Sequence, residues 1–560
     1  MSIADLKTIG TEQLRRDYIL PKKVLWVTEG ISNVETLLTS EEDQARQGEG
    51  AIVLASTRGG KKAAFLLDFG SEFSGGVRIV TRVGTDKQGA MVHLRFGESV
   101  AEAMTPLTVK NAVNHHSTRD MVVPIPLLST TEWSQTGFRF LYVEVETPEV
   151  NLEFISIHGI FTYRDIPYLG SFECNDKKIN DIYNTSAYTV HLNMQNYIWD
   201  GIKRDRLVWI GDMHPEMLAI RTVFGYQPVL DDSLRYVAET DPMPKYPNNM
   251  TTYGMWYLMI LRDWYFHNGK IELVEELKGY WLQLLQQLLD LVHNEYPILV
   301  EDELMRGFFF DWPTQGMNEA SGAAIYALLS ETFKAGITLC EGVGEVTVAE
   351  ECKRKIELLR DNRNHHFNMK QVIAMMNLAG HITDEETATL LTKDGGRGMS
   401  TFQSYYILKA AAKSAGVTSA LNMMSEYYGG MLEVGATTFW EDFDLDWLKD
   451  GARIDTLLED GEYDIHGDNG RFCYIGLRHS LCHGWSAGPA AFLAEDVLGI
   501  HILSPGCKEI SITPNLGDLE WAKGTYPTPF GIISVEVKRV QEGVDVKVNV
   551  PKEITVVNRL

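Results

Sequence analysis

The chain has 560 residues, of which 44% are hydrophobic and 23% charged, values that exclude a mostly disordered, collagenous or coiled-coil chain. Its 76 acidic and 51 basic residues give a net charge of −25, which disfavours nucleic acid and anionic membranes as partners. A neutral or cationic substrate, or one bound in a shielded cleft, fits this charge better. No run of 18 apolar residues and no apolar signal-peptide core are present, so we expect no membrane span and a cytoplasmic protein, or a periplasmic one if a signal peptide was removed.

Residues 1–165 are predicted to form an N-terminal β-sandwich domain. From about residue 20, short segments rich in β-branched and aromatic residues are separated by Gly, Asn, Asp and Pro, which is typical of closely spaced antiparallel strands. Examples are AAFLLDFG, GGVRIVTRV, MVHLRFGE, FRFLYVEVE and NLEFISIHGIF. The pattern assigns no function to this domain.

Residues 166–498 have apolar residues at helical spacing. We expect Asn175 to cap the first long helix, a buried helix from Tyr253 to Asn268, an amphipathic helix from Lys270 to His293, and a capping box at Thr383–Glu386. Further helices are predicted at about 320–342, 347–362, 400–416, 418–430 and 478–498. Ten or so helices without intervening strands or a fixed repeat favour an α/α toroid or solenoid.

Strand character returns in residues 499–560, with segments such as KEISITP, GIISVEVKRV and VDVKVNVP. The predicted fold class is therefore a multidomain α plus β protein, in which a helical toroid lies between two β-domains.

The densest polar cluster runs from Asp200 to Asp212 and contains three carboxylates and three cations, with Trp199 and Trp209 among them. Read conservatively, it is a solvated loop with local ion pairs. Carboxylates, arginines and indoles on one loop are also what a sugar site requires, because the rings stack on C–H faces and the charged groups bind hydroxyls.

A second cluster runs from Gly435 to Trp447. Glu441 follows Trp440 and an apolar run, so desolvation could raise its pKa and make it an acid or a base near neutral pH. The conservative interpretation is an acidic helix-to-loop junction. Weaker candidates are Asp311 and Trp312 in FFFDWPT and His483 in SLCHGWSAGP.

Several common sites are absent from the sequence. It contains no GxGxxG after a strand, no GxxxxGK[ST] and no HExxH. The six cysteines form no CxxC pair and no zinc spacing, so we expect buried thiols. We expect neither a metal nor a cofactor.

These motifs resemble those of the α-L-rhamnosidases of glycoside hydrolase family 78, and the resemblance covers most of the chain. The family's acid motif reads approximately D-x-P-x-R-E-R-L-G-W-x-G-D, and GATT-x-WE surrounds its base. The matching residues are Asp200, Arg204, Arg206, Leu207, Trp209, Gly211 and Asp212 in the first motif, and Gly435 to Glu441 in the second. SLCHGWSAGP, FLLDFGSEFSGGVRI and GDLEWAKGTYPTPFGIISVEV also look like segments of these enzymes.

The resemblance implies an (α/α)6 catalytic domain and an exo-acting enzyme that inverts the anomeric centre of terminal α-L-rhamnosides. It implies Asp205 as the general acid and Glu441 as the general base. Asp200 and Asp212 would bind sugar hydroxyls or tune the acid. The remaining substrate contacts would come from Arg204, His483 and Trp440, and from the weaker candidates Trp256, Asp311 and Trp312.

Two departures from the family motif leave alternatives open. Asp205 stands where the family usually has Glu, and Ile202 stands where it usually has Pro. The first alternative is therefore an inverting glycosidase of the same fold that acts on another neutral or deoxy sugar. A polysaccharide lyase, supported by Lys203, Arg204 and Arg206, and a non-catalytic carbohydrate-binding protein are the others. Whether the chain forms a homodimer is also open.

Overall fold

The computed structural model describes residues 14–559 except 49, 84, 85, 87, 295–308, 316, 361–365, 460, 471 and 472. The first 13 residues of the predicted N-terminal domain and the last two of the helix predicted at 347–362 lie outside these residues.

The described N-terminal region forms a nine-stranded, antiparallel sheet in which the central strands follow the order β3-β4-β9-β5-β8-β6-β7. In addition, β1 pairs with β9 and β2 pairs with β5. The strands are β1 Leu14–Ile19, β2 Lys23–Val27, β3 Ile31–Ser32, β4 Val53–Ser56, β5 Ala64–Thr81, β6 Ala90–Gly97, β7 Asp120–Ile125, β8 Thr130–Val145 and β9 Asn151–Arg164. Buried residues from strands near both ends of this order pack in one hydrophobic core.

Two of the predicted strands are one long strand, β5, whose register with β8 shifts twice. Gly75 lies at one shift with φ +152°, and a Cβ atom there would be 1.7 Å from the carbonyl oxygen of Ile160. Such irregularities bend a strand, so the two halves of β5 have different neighbours. The first half pairs with β2 and the second with β9.

The middle of the chain is helical, as predicted. The helices of the described residues are α1 Val100–Met104, α2 Lys177–Asn193, α3 Met213–Val223, α4 Pro228–Thr240, α5 Thr251–Asn268, α6 Ile271–Glu276, α7 Lys278–Asp290, α8 Asn318–Val343, α9 Val346–Arg360, α10 Lys370–Ala379, α11 Asp384–Thr392, α12 Ser404–Ala415, α13 Val417–Glu433 and α14 Gly488–Phe492. Helix α5 is buried almost all round, as its sequence predicts. Thr383 caps α11 by accepting a hydrogen bond from the Glu386 N–H, as the capping box predicts.

Three helix predictions need correction. Asp176, not Asn175, caps α2, because its carboxylate accepts the N–H groups of Lys178 and Ile179. The Asn175 side chain instead accepts the backbone N–H of Glu520 in the C-terminal region. The helix predicted at Lys270–His293 is interrupted at Leu277.

The third correction concerns the helix predicted at 478–498. Helical structure there begins at Gly484 with a short 3-10 turn and continues through α14 into a π-helical turn, Leu493–Val497. At the start of this turn, two backbone N–H groups bind other segments instead of forming helix. The His483 N–H donates to the Phe439 carbonyl, and the Gly484 N–H donates to the Asp200 carbonyl. This segment therefore joins the two predicted catalytic clusters.

The C-terminal strands form two small sheets in the described residues. The strands are β10 Ser171–Cys174, β13 Ile500–Ile502, β14 Glu509–Ile512, β15 Trp521–Thr528, β16 Gly531–Arg539, β17 Val544–Asn549 and β18 Thr555–Arg559. One sheet has the order β10-β15-β16-β17, so a strand that precedes the helical region completes it. The two-residue strands β11, Gly451–Ala452, and β12, Tyr463–Asp464, pair with each other.

Helix α8 includes Ala320–Val343, a segment long and apolar enough to cross a membrane by length and composition alone. However, 72% of its most apolar window is buried inside the protein, as in the core helix of a globular domain. Five of the six cysteines are buried thiols, as predicted, and Cys473 is only half-buried.

Candidate active site

A cavity of about 210 Å³ lies where the Asp200–Asp212 loop, the segment around Glu441 and the segment around His483 meet. Gly201 forms an isolated antiparallel bridge with His483, which brings two of these segments together. Six aromatic rings and five acidic or basic side chains are among the groups that line it. The lining residues are Asp200, Arg204, Asp205, Trp209, Asp212, Met250, Tyr253, Phe309, Trp312, Gln315, Glu441, Tyr474, His483 and Trp485.

The Asp200–Asp212 loop is closed by its own hydrogen bonds. The Asp200 N–H donates to the Leu207 carbonyl at 3.1 Å, and the Leu207 N–H donates to Asp200 Oδ1 at 3.0 Å. Between them, Asp205 and Arg206 adopt left-handed backbone conformations with φ of 53° and 58°. Such conformations cost about 1 kcal/mol or more for residues other than glycine, so the surrounding contacts must hold the turn.

Arg204 links the two predicted catalytic carboxylates. Its Nη1 donates to Asp205 Oδ1 at 2.7 Å, and its Nη2 donates to Glu441 Oε1 at 2.6 Å. The guanidinium lies 3.8 Å from the centre of the Tyr474 ring, a cation–π arrangement that fixes its plane. Because both ion pairs are largely buried, Arg204 orients the two carboxylates relative to each other.

Glu441 is buried, and its other carboxylate oxygen accepts the Ser480 N–H at 3.3 Å. Burial acts to raise the pKa of Glu441, but the charge of Arg204 and two nearby histidines lowers it well below the usual range. Glu441 is therefore ionised at neutral pH, which is the state that a general base requires.

Asp205 faces the cavity with more access to solvent than Glu441: its side chain is 14% exposed, against 3% for Glu441. Besides Arg204, Trp209 Nε1 donates to Asp205 Oδ2 at 3.0 Å. His116 Nε2, from the N-terminal region, lies 3.2 Å from Asp205 Oδ1. Asp205 therefore has partners in its own loop and in the N-terminal region.

Asp200 and Asp212 line the cavity and are both buried. Burial, followed by the charges of neighbouring carboxylates, raises the pKa of Asp200 well above its usual range. Burial likewise raises the pKa of Asp212, although a hydrogen bond from the Tyr253 hydroxyl opposes the shift. A raised pKa lets a carboxyl group keep its proton to higher pH, and a protonated carboxyl can donate a hydrogen bond to a bound hydroxyl.

His483 and Glu216 lie beside these carboxyls. His483 Nε2 is 3.1 Å from Asp212 Oδ2, and burial lowers the pKa of His483 to about 4, so its ring is neutral at pH 7. Glu216 is also buried, and desolvation raises its pKa well above the usual range, with Asp212 and Asp200 adding to the shift.

The cavity brings together seven of the ten residues predicted as site residues. These are Asp200, Arg204, Asp205, Asp212, Trp312, Glu441 and His483. The structure places the other three outside the lining.

Trp256, Trp440 and Asp311 are the three residues outside the lining, and burial explains each case. The Trp256 and Trp440 side chains are fully buried, and Trp256 packs against His214 and Tyr406. Asp311 accepts hydrogen bonds from the Trp312 N–H and the Ser400 hydroxyl. Asp311 thus positions Trp312 rather than facing the cavity itself.

Sequence reasoning missed several lining residues, chiefly the aromatic ones. Tyr253 was expected to be a core residue of α5, yet it lines the cavity and donates to Asp212. Trp485 follows His483 by two residues and stacks on Phe402, so the SLCHGWSAGP segment carried a usable signal. No sequence signal identified four further lining residues, Met250, Phe309, Gln315 and Tyr474.

The three cationic residues that supported the polysaccharide lyase alternative already bind other groups of the protein. Lys203 forms buried ion pairs with Glu98 at 2.7 Å and Glu102 at 3.3 Å. Arg204 is paired as described, and Arg206 donates to the Gln135 carbonyl and lies over the Trp199 ring. None of the three is directed at the cavity as a free cation for a uronate carboxylate.

Among the described residues, Glu98, Glu102 and His466 form the one group close enough to hold a metal ion. The ammonium of Lys203 already supplies a positive charge to both carboxylates. Both ring nitrogens of His466 are also hydrogen-bonded, to the Ser99 hydroxyl and the His479 carbonyl. The group is therefore a buried ion-pair network that joins the N-terminal region to the Asp200–Asp212 loop.

Two parts of the chain are similar to known protein families. Residues 167–372 match the profile of the bacterial alpha-L-rhamnosidase six-hairpin glycosidase domain, and residues 499–557 match that of the bacterial alpha-L-rhamnosidase C-terminal domain. The resemblance to the α-L-rhamnosidases of glycoside hydrolase family 78, a family of enzymes, is confirmed.

Individual relatives are more distant. A curated Alpha-L-rhamnosidase from Alteromonas sp. (strain LOR) is 24% identical over 88% of the chain, which spans only 55% of that protein. The family 78 rhamnosidase of Bacillus sp. GL1 matches with a TM-score of 0.72 at 19% identity, over 94% of this chain and 55% of its own. A rhamnosidase from Klebsiella oxytoca, solved with rhamnose bound, matches with a TM-score of 0.65 at 18% identity, over 86% of this chain and 95% of its own. At these identities, the structural matches establish the fold.

The buried network predicts that Lys203 is important for stability. Lys203→Met leaves Glu98 buried without its counter-charge and Glu102 with Arg119 alone, and removing one partner of a buried pair costs about 3–5 kcal/mol. Denaturant titration of the variant should show this loss of unfolding free energy.

Lys178→Met is the matched control, because Lys178 pairs with Glu433 at an exposed position. Exposed pairs contribute about 0–1 kcal/mol, so the control should unfold almost like the wild type. Equal stability of the two variants would contradict the role given to the network.

Proposed function

We propose that the protein is an inverting, exo-acting glycosidase that releases terminal α-L-rhamnose from oligosaccharides or glycoconjugates. The observation that carries the proposal is the pair of carboxylates, Asp205 and Glu441, which face one cavity and are held by one guanidinium. Family resemblance supports the choice of sugar, and the cavity's aromatic and acidic lining supports a carbohydrate ligand.

In this proposal, Asp205 protonates the departing glycosidic oxygen, and Glu441 takes a proton from the water that attacks the other face of the anomeric carbon. Inverting glycosidases need space for that water between their two carboxyl groups. The Arg204 guanidinium lies between Asp205 and Glu441 and keeps them from direct contact. The low pKa of Glu441 suits the base.

Recognition of the sugar would be divided between the two sides of the cavity. Asp200, Asp212 and His483 would bind hydroxyl groups, because they carry hydrogen-bonding atoms into the cavity. Trp312, Phe309 and Trp485 would contact the apolar faces of the ring and the methyl group of a 6-deoxy sugar. The small volume favours a single terminal sugar.

We further propose that helices between residues 166 and 498 form the six-hairpin toroid, with β-sandwich domains at 1–165 and 499–560. The position of β10 in the C-terminal sheet suggests that the last domain also includes residues before α2.

A second candidate is a glycosidase of the same fold that acts on another neutral or deoxy sugar. Asp205 supports this candidate, because its side chain is one methylene shorter than the usual Glu. A panel of p-nitrophenyl glycosides separates the two: release from the α-L-rhamnoside alone supports the first, and release from a different glycoside supports the second.

The proposed mechanism predicts the configuration of the first product. Because water attacks opposite the leaving group, proton NMR recorded early in hydrolysis should show β-L-rhamnose before mutarotation produces the α-anomer. Initial appearance of the α-anomer would indicate a double displacement and would exclude Glu441 as the base.

The two carboxylates are predicted to differ in their response to the leaving group. Asp205→Asn should slow hydrolysis of a disaccharide by about 10²–10⁴-fold, the usual effect of a positioned acid, and affect a nitrophenyl glycoside much less. Glu441→Gln should slow both substrates similarly, since both need an activated water. Measurement of kcat/KM on the two substrates, with circular dichroism to confirm folding, tests the roles. Near-normal disaccharide cleavage by Asp205→Asn would transfer the acid role to Asp200 or Asp212.

Arg204 is predicted to set the acidic limb of the pH profile. Glu441 acts as a carboxylate, and the Arg204 charge lowers its pKa, so activity is lost only at low pH. In Arg204→Met the pKa of Glu441 rises, and the acidic limb of kcat/KM should move to higher pH. Arg206→Met is the control, because Arg206 contacts Gln135 and Trp199 rather than Glu441, and its acidic limb should not move. If Arg204→Met folds and its acidic limb stays where it is in the wild type, Glu441 is not the base whose pKa Arg204 lowers.

A further inference from the structure

The N-terminal region places a titratable side chain against the proposed acid. The segment before β7 reaches the Asp200–Asp212 loop, where the Ser117 hydroxyl donates to the Lys203 carbonyl at 2.7 Å. One residue earlier, His116 Nε2 lies 3.2 Å from Asp205 Oδ1. The contact joins two parts of the chain that are 89 positions apart, and the proposed acid–base scheme does not use it.

His116 differs from the other partners of Asp205 in one chemical respect. Arg204 stays protonated at any pH that the protein meets, and the Trp209 indole does not exchange its proton as an acid. Among the described residues that hydrogen-bond or pair with Asp205, His116 therefore has the only group that gains and loses a proton near neutral pH. Its side chain is 35% exposed, whereas that of Asp205 is 14% exposed, so His116 connects the carboxyl with solvent.

The backbone at His116 also indicates a constrained position. His116 has φ of 68°, in the left-handed region that glycine and asparagine adopt more easily. The turn aims the imidazole at Asp205, which is itself in a left-handed conformation. Two strained residues therefore face each other across the contact, a pattern that is common where geometry serves function.

The charged groups around His116 act in opposite directions. Partial burial lowers its pKa most, and the charge of Asp205 raises it. Arg204, His115 and Arg478 lower it further. The pKa of His116 therefore depends on neighbouring groups of both signs.

An inverting mechanism needs such a supply of protons. Each turnover leaves Asp205 as a carboxylate and Glu441 as a carboxylic acid, so Asp205 must gain a proton and Glu441 must lose one before the next. Arg204 and Trp209 donate hydrogen bonds to Asp205, but neither side chain can deliver a proton to it.

We propose that His116 carries protons from solvent to Asp205. The imidazolium gives its Nε2 proton to Asp205 Oδ1 and becomes neutral imidazole, which takes a new proton from water or a buffer acid. Glu441 returns the proton that it took from the attacking water to solvent, so no net proton is consumed. The inference rests on the proposed function, and it makes the N-terminal region part of the reaction cycle.

The test substitutes His116→Asn, which tolerates the left-handed backbone and keeps a hydrogen-bond donor but cannot carry a proton. We expect kcat on a rhamnosyl disaccharide to fall by about 10-fold or more, a share of the effect of a positioned acid, with little change on a nitrophenyl rhamnoside. Added imidazole should restore part of the rate.

His115→Asn is the matched control, since His115 is exposed on the same loop and its ring meets that of His116 rather than Asp205. It should behave as the wild type on both substrates. A second measurement does not depend on turnover: in protein with 13C-labelled histidine, the pKa of His116 should fall in Asp205→Asn, because the carboxylate that raises it is gone.

Equal losses on both substrates, no imidazole rescue or an unchanged pKa of His116 in Asp205→Asn would overturn the role of His116. The proposed function would survive these outcomes, provided that the wild type still releases the inverted sugar. A wild type that cleaves no glycoside would overturn both, even if the pKa of His116 depended on Asp205.

Discussion

The candidate site depends on one guanidinium, that of Arg204, held between Asp205 and Glu441 and against the Tyr474 ring. A buried arginine cannot lose its proton, so at least one neighbouring carboxylate must stay ionised to balance it. The shorter contact and the deeper burial belong to Glu441. In the proposed scheme, the same guanidinium therefore contacts both carboxylates and favours the ionised form of Glu441, the more deeply buried of the two.

Arg204 is held in place by residues outside the helical region. Its neighbour Lys203 is anchored by Glu98 and Glu102, and the Ser117 hydroxyl binds the Lys203 carbonyl. The segment before Glu441 is supported from the same side, since the Glu72 N–H donates to the Thr437 hydroxyl. The N-terminal region thus supports both segments that carry the proposed catalytic carboxylates, a role that its strand pattern could not reveal.

Much of the site could be predicted from the sequence, because most of its charged residues fall in two short motifs, and both motifs line the same cavity. The aromatic assignments were less reliable: Trp440 adjoins Glu441 in sequence but points into the core, while Tyr253 on a buried helix reaches the cavity. Sequence position does not say which way such a ring points. The contact between His116 and Asp205 could not be predicted either, since only tertiary folding brings the loop before β7 to Asp205.

The central claim, that Asp205 and Glu441 act on opposite faces of one bound sugar, is tested most directly by a crystal structure of Glu441→Gln with an intact aryl α-L-rhamnoside. We expect the sugar in the 210 Å³ cavity, with the glycosidic oxygen within hydrogen-bond reach of Asp205. A water bound to residue 441 should lie on the opposite face of the anomeric carbon. A glycosidic oxygen that faces Asp200 or Asp212, or a sugar bound outside this cavity, would contradict it.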